Sequence, residues 1–405
     1  MSERSERSDD LWIIGASMTA FRRHLDRDVV DLGVEATLGA LRDAGTTVRD
    51  LQVMAVGSQF EPYTFGQQIQ KQVGQTGIPL YNVHNACATG ATAVRSVIME
   101  IRAGEADIGL ALGVEHMSSA SAPYRMSKPS KEPGFTPTGR DGHVLPTEGV
   151  LGTGHMWGVF AQTGTDYARQ HDGVGFEQFA KVAEKNHAHS TLNPLAQYQR
   201  PYSLEEIMGA EMMAYPNTLP MCCPTGDGAA AVVVVSGEKL RTLDPDVRRR
   251  AVKISAAVMT TDPYTPSGHV HPDVNTLTRL AADKAYEQAG VDPKDLDLVE
   301  LHDCFASAEL VHYDNLRLCE PGGAGAFIDR RGPWRDGEIP VNVSGGLISK
   351  GHPIGATGVA NIYEVVTHLR GEAGDRQIEG AKVGLTHVIG LGSVCAVHIL
   401  ERSAP

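Results

Sequence analysis

The chain lacks an excess of positive charge. Across 405 residues, 49 Asp and Glu stand against 36 Lys and Arg, a formal net charge of −13. Nucleic-acid binders need a basic face to neutralise phosphates, so that class is excluded. Anionic small molecules stay open as substrates, because a few local basic groups can hold one. No apolar run reaches the ~18 residues that span a bilayer. Met1 to Asp10 has no apolar segment of a secretory signal and reads as a disordered tail, so a cytoplasmic setting is expected. Glu401 to Pro405 is not the peroxisomal Ser-Lys-Leu address. The six cysteines, Cys87, Cys222, Cys223, Cys304, Cys319 and Cys395, contain no Cys-x-x-Cys pair. His187 and His189, like His269 and His271, have too few companions for a metal centre. No metal site is expected.

What is present suits an ordinary globular protein with a large core. The chain is 41% hydrophobic and 21% charged, and it exceeds the ~250–300 residues at which single cores stop growing. It also repeats itself. Glu35 to Gly45, followed by Asp50-Leu51, echoes Leu280 to Gly290, followed by Asp295-Leu296, without a gap. Each copy is an amphipathic helix stopped by glycine, with an apolar strand after it: Leu51 to Val56 and Leu296 to Leu301. A second echo pairs Gly90-Ala91-Thr92 with Gly355-Ala356-Thr357. Each opens a helix, to about Arg102 and Arg370, and each helix leads to a strand, Ile108 to Val114 and Val383 to Ile389. Strands alternating with helices indicate βαβ units in two α/β halves. Ser118 to Pro224 has no echo and reads as an insertion over the active site, with a helix at Phe176 to His187.

Cys87 lies in Asn85-Ala86-Cys87-Ala88-Thr89-Gly90, where a helix begins. A helix N-terminus offers a positive dipole end and free N–H groups, which lower a thiol pKa and can hold an oxyanion. The residues alone leave a nucleophile and a buried structural cysteine both open. Gly351-His352-Pro353 occupies the matching place in the second half. It is neither a dinucleotide fingerprint nor a P-loop. Glycine and proline fix the imidazole, and the dipole keeps it neutral, as a general base must be. His302-Asp303-Cys304-Phe305 follows a strand, where open α/β sheets place ligands; its thiol is a candidate acid/base partner. Gly390-Leu391-Gly392 follows the last strand with its backbone exposed. Cys222-Cys223-Pro224 reads as packing. Tyr124, Arg125, Lys128 and Lys131 form a basic stretch, either solvated or meeting a CoA phosphate.

Together these segments resemble the thiolases. Asn85 to Gly90 resembles their nucleophile motif and Gly351-His352-Pro353 their catalytic histidine motif. Gly113 to Ser118 and Pro224 to Ala230 resemble the entry to and return from their loop domain. Ordinary thiolases carry a second catalytic cysteine just before the final glycine loop, where this chain has Val388. They also carry Asn-Glu-Ala-Phe where this chain has His302-Asp303-Cys304-Phe305. Both departures, with Lys185-Asn186-His187 and Cys222 to Thr225, are similar to the sterol-carrier-protein-2 type, without an appended sterol-carrier domain.

The resemblance implies an α/β fold of duplicated βαβαβαββ halves in a five-layered αβαβα core, with an inserted loop domain. Residues 11–117 and 225–250 form the first half, 118–224 the loop domain and 251–405 the second half. The implied reaction is thiolysis of a 3-ketoacyl-CoA, or its Claisen reverse, in fatty acid or sterol degradation. Coenzyme A is a substrate and no cofactor is needed. Cys87 is the implied nucleophile, His352 its base and Cys304 the enolate acid/base. His302 assists His352, the N–H groups of Cys87 and Gly390 hold the oxyanion, and Arg125 and Lys128 bind substrate. A homodimer or homotetramer is expected. The rivals are a retro-aldolase without an acyl-enzyme, an acyltransferase to a non-CoA acceptor, and a silent lipid carrier or scaffold.

Overall fold

Near-continuous apolar runs make most of the strands, as sequence buried on both faces should, and the edge strand Leu80–Val83 is the half-exposed exception. In the first half they are β1 (Leu11–Met18), β2 (Val53–Gly57), β3 (Leu80–Val83), β4 (Ile108–His116) and β5 (Asp227–Ser236). In the second half they are β6 (Val252–Thr261), β7 (Leu298–Glu300), β8 (Val383–Gly390) and β9 (Val394–Arg402). The computed structural model describes residues 10–118, 138–139, 142–143, 156–263, 274–391 and 394–402.

The hydrogen-bonded order is β7-β8-β9-β6-β1-β5-β4-β2-β3. Read outward from the centre, the first half runs β1-β5-β4-β2-β3 and the second β6-β9-β8-β7. The second half's fifth position is reduced to the parallel bridge Val299↔Val341. The halves meet where β1 and β6 pair antiparallel through Trp12↔Lys253 and Ile13↔Val252. Both of these strands break register at the same depth, between Ile13 and Gly15 and between Ile254 and Ala256. The duplication is therefore structural down to a shared bulge.

The helices complete five layers. One outer layer holds α1 (Val29–Asp43) and α2 (Phe65–Val73); the central layer holds α3 (Thr89–Ala103). The insertion carries α4 (Met156–Gln170) and α5 (Phe176–Ser190). The second half adds α6 (Val274–Ala289), α7 (Ala306–Asn315) and α8 (Ile354–Arg370). Asp28 caps α1 by accepting from the N–H groups of Val30 and Asp31. After α1 and α6, left-handed Gly45 and Gly290 lead into 3₁₀ turns at Val48–Asp50 and Pro293–Asp295. Those turns delay the next strands to Val53 and Leu298, two residues later than the sequence suggests.

α8 packs on α3 and touches strands of both halves. A Cβ on Gly90 would lie 2.8 Å from the Gly355 carbonyl oxygen, and one on Gly358 2.5 Å from the Ala91 nitrogen. Glycine there lets the two N-termini converge, which brings the segments bearing Cys87 and His352 together. α4 and α5 lie against α7. Phe160 and Phe179 join Leu301, Phe305 and Tyr313 in one buried cluster, so the described insertion is built onto the second half.

Candidate active site

Cys87 precedes α3 on a tight loop. Ala86 is left-handed (φ 48°), a conformation that costs a non-glycine residue ~1–3 kcal/mol. Three hydrogen bonds hold it. Ala86 N–H donates to Gln59 Oε1 at 2.9 Å. Asn85 N–H donates to Thr89 Oγ1 at 2.7 Å, and that hydroxyl donates to the Ala86 carbonyl at 2.6 Å. Ala88, Ala91, Val388, Val394 and Ala396 form an apolar wall beside Cys87. Val388 thus stands next to the thiol and offers it no protic group.

His352 sits between left-handed Gly351 and Pro353, which caps α8. Its Nε2 lies 3.3 Å from Cys87 Sγ, and its Nδ1 lies 2.7 Å from Thr357 Oγ1. The Thr357 hydroxyl proton is committed to the Pro353 carbonyl at 2.9 Å. Thr357 must therefore accept from Nδ1–H, which leaves the Nε2 lone pair facing the thiol.

Burial lowers the His352 pKa to about 3. The base is neutral, as the sequence suggested, but burial is the cause rather than the helix dipole. The lowered pKa expected for Cys87 is not found. Desolvation pushes the thiol up to about 12, and the charge of Glu115 adds to the rise. The backbone N–H groups of Cys87 and Leu391 oppose it without prevailing. Part of Cys87 remains accessible, yet the packing around its sulfur decides the direction. The resting pair is neutral thiol and neutral imidazole. From the final loop it is Leu391 N–H that reaches the sulfur, one residue beyond the expected Gly390. Gly390 itself presses on the nucleophile loop; a Cβ there would lie 2.5 Å from the Asn85 carbonyl oxygen.

His302 and Cys304 follow β7. The rings of His302 and His352 meet edge to face, with centroids 5.3 Å apart. His302 is buried and its Nδ1 has no hydrogen-bond partner. Burial, with His352 and His312 nearby, holds its pKa well below the usual range. Cys304 is 4% exposed. Burial raises its thiol pKa, and Cys223 and Cys87 lie close enough to raise it further. The Cys304 carbonyl accepts from Cys223 N–H at 3.0 Å, so the segment read as simple packing borders the site.

A buried polar network fixes this loop. Asp303 accepts from Leu347 N–H at 2.7 Å and from Asn186 Nδ2 at 2.8 Å. Asn186 also reaches Glu309 at 2.6 Å, and Glu309 pairs with Lys185 at 2.7 Å. The insertion thereby anchors the segment holding His302 and Cys304. On the other side, Lys350 precedes the His352 loop and lies 3.6 Å from buried Glu300.

Glu115 escaped the sequence reading, although a lone acid ending an apolar strand run signals a buried carboxyl group. Its Oε1 accepts from the Ser58 hydroxyl at 2.7 Å and Phe60 N–H at 3.2 Å. Its Oε2 accepts from Gln59 N–H at 2.8 Å and Gly355 N–H at 2.9 Å. It ties the Gln59 loop, which holds Ala86, to the start of α8, which holds His352. Thr357 also escaped, for lack of any signal beyond its place in a glycine-rich run. Arg125, Lys128, Gly392, His269 and His271 lie outside the described residues.

Residues 11–213 match the family described as thiolase, N-terminal domain, and 268–402 match the thiolase C-terminal domain-like family. The chain belongs to the thiolase family and is an acyltransferase of that type. Human sterol carrier protein 2 is 38% identical over 98% of this chain and 72% of its own length. An acetyl-CoA acetyltransferase of Methanothermobacter thermautotrophicus is 37% identical over 97% of this chain and 100% of its own. The solved Ltp2-ChsH2(DUF35) aldolase shares the fold with a TM-score of 0.79, at 22% identity over 97% of this chain and 98% of that one. Among the described residues no helix is long and apolar enough to cross a membrane.

Proposed function

We propose that this protein cleaves 3-ketoacyl-CoA with CoA, or runs the reverse Claisen condensation, through an acyl-Cys87 intermediate. The observation that carries the reading is the 3.3 Å approach of His352 Nε2 to Cys87 Sγ, with Nδ1 committed to Thr357. His352 takes the thiol proton as sulfur attacks the 3-keto carbon. The oxyanion rests on backbone N–H groups of Cys87 and the Gly390-Leu391 turn. The C2–C3 bond then breaks, and acetyl-CoA or propionyl-CoA leaves as an enolate. Cys304 protonates the enolate carbon, while His352 and His302 steady its oxygen. CoA attacks the acyl-enzyme, His352 returns its proton to the departing Cys87 sulfur, and the CoA thiol proton restores Cys304. No cofactor enters this scheme. Arg125 and Lys128 are proposed to bind the CoA phosphates, in a cytoplasmic setting.

The protein is further proposed to work as a homodimer or homotetramer. β3 pairs on one side only among the described residues. Beside it Tyr81 and Met99 are exposed along a groove of about 1060 Å³. A free edge strand flanked by exposed apolar groups favours a second copy as its cover.

Retro-aldol cleavage of a 3-hydroxyacyl-CoA is the second reading, favoured by the likeness to the aldolase structure. It forms no acyl-enzyme, so one experiment separates the two. The protein is incubated with panels of 3-ketoacyl-CoA and 3-hydroxyacyl-CoA esters, products are identified, and its intact mass is measured before and after CoA is added. An acyl adduct on Cys87, lost on adding CoA and absent in Cys87→Ala, is expected. Aldol products without any adduct would overturn the thiolase reading.

A further inference from the structure

The donors that meet at the Cys87 thiol have a second chemical use. Cys87, His302 and His352 each place one ligand-type atom within 4.8 Å of the others. A tetrahedral zinc ion, with Zn–S near ~2.3 Å and Zn–N near ~2.0–2.1 Å, needs S···N separations of about 3.6 Å and N···N separations of about 3.3 Å. Cys87 Sγ and His352 Nε2 already stand 3.3 Å apart. The remaining separations, within 4.8 Å, close if the His302 ring moves toward the pair.

Two further features fit a metal. His352 Nδ1–H is held by Thr357, so Nε2 presents its lone pair inward; this is how metal-binding histidines are oriented. His302 is buried with Nδ1 unpartnered, so no protein hydrogen bond at that nitrogen would have to be broken for the ring to turn toward an ion. Three protein ligands leave the fourth position to the accessible side of Cys87, the open arrangement of a zinc site that keeps a water or ligand. One sulfur and two imidazoles select zinc and similar soft or borderline ions over magnesium or calcium.

We propose that Cys87, His302 and His352 form a reversible inhibitory site for a zinc-class cation, which switches the enzyme off by occupying its reacting groups. Binding replaces the Cys87 S–H bond by an S–Zn bond and releases that proton to solvent; zinc keeps its charge state throughout. The buried carboxyl of Glu115 lies within electrostatic reach of the sulfur, so an added positive charge there would be partly compensated.

The test is binding, and it does not depend on turnover. Zinc alone is added to the full-length protein and Cys87 alkylation is followed by peptide mass spectrometry. At a zinc concentration ten times Kd only about one site in eleven stays free, so labelling of Cys87 should slow about tenfold. EDTA should restore it, and magnesium and calcium should leave it unchanged. Cobalt should bind at one per chain, with a thiolate-to-cobalt charge-transfer band and release of one proton. His302→Ala should weaken zinc binding at least ~10-fold. Unhindered labelling of wild-type Cys87 at saturating zinc, or equal protection by magnesium, overturns the proposal, whether or not any variant folds. So does undiminished affinity in folded His302→Ala. A protein that binds zinc this way yet forms no acyl-enzyme would uphold this site and sink the thiolysis reading.

Discussion

Glu115 offers the sharpest link from buried packing to chemistry. Alanine there removes four accepted hydrogen bonds, three of them from the backbone N–H groups of Gln59, Phe60 and Gly355. A buried donor left unpaired costs ~1–3 kcal/mol. With water entering the vacated space, Glu115→Ala should lose about 3–5 kcal/mol of stability. It also releases both loops that align Cys87 with His352, and a ~1 Å misplacement can cost ~10²-fold in rate.

Glu115→Gln separates the effects. Its amide oxygen can keep Gln59 and Gly355, and its amide nitrogen can donate to Ser58. Only the long Phe60 contact is lost, at about 1 kcal/mol. Burial raises the Glu115 pKa to about 7, against backbone and hydroxyl hydrogen bonds that lower it. The native state therefore binds this proton more tightly than the unfolded chain, whose carboxyl titrates near the ordinary 4.5. The sign follows: the contribution is fully present below that value and is lost as pH rises to 7. About 2.5 pH units at ~1.4 kcal/mol each amounts to roughly 3 kcal/mol. Glu115→Gln should lack that component. Denaturant unfolding from pH 4.5 to 8 and single-turnover acylation measure both effects. Wild-type acylation in folded Glu115→Ala would refute the positioning argument. A wild-type pH slope in Glu115→Gln would refute the electrostatic one.

Two other outcomes follow from the site. Alkylation of resting Cys87 should keep rising with pH to at least 9, because burial holds the thiol protonated. His352→Ala should slow it while Cys319, a half-buried thiol, is unaffected; a plateau below pH 7 would instead mean a preformed thiolate–imidazolium pair. Cys304→Ala should still let Cys87 take an acetyl group from acetyl-CoA but lose methyl-proton exchange with deuterated water, with thiolysis falling ~10²–10⁴-fold. Buried Cys395, one strand turn further on, should be dispensable for both; normal exchange in Cys304→Ala with loss in Cys395→Ala would assign the proton to Cys395.

Local signals made most of the architecture legible. The helix-glycine-turn-strand echo of Ala44 to Asp50 in Ala289 to Asp295 is short-range chemistry, and the structure repeats it down to the 3₁₀ turns. Cys87, His302, Cys304 and His352 stood out because small residues or strand ends flank them. Interactions between distant segments were not legible. The contact of Thr357 with Nδ1 depends on the ring orientation set by Gly351 and Pro353. Glu115 joins positions 58–60 to position 355, a pairing no periodicity encodes. The pKa of Cys87 failed for the same reason. A helix N-terminus is visible in sequence, whereas the desolvation that overrides it comes from Val388, Val394 and Ala396 arriving from the far end of the chain.

That reversed direction suits the proposed chemistry. A preformed thiolate would stabilise the ground state, and only interactions stronger in the transition state accelerate a reaction. A neutral Cys87–His352 pair carries no separated charge when an apolar acyl chain covers it. In the proposed scheme negative charge appears on the carbonyl oxygen only as sulfur attacks, and the backbone N–H groups of Cys87 and Leu391, which meet the sulfur at rest, are the donors proposed to take it up. The same apolar wall offers no proton donor at Val388, and the proposed scheme draws the enolate proton from Cys304 instead. The loop that bears Cys304 is held through Asp303 by Asn186, Glu309 and Lys185. In that scheme the wall that desolvates Cys87 also keeps position 388 aprotic, and the second thiol stands on a separately anchored loop.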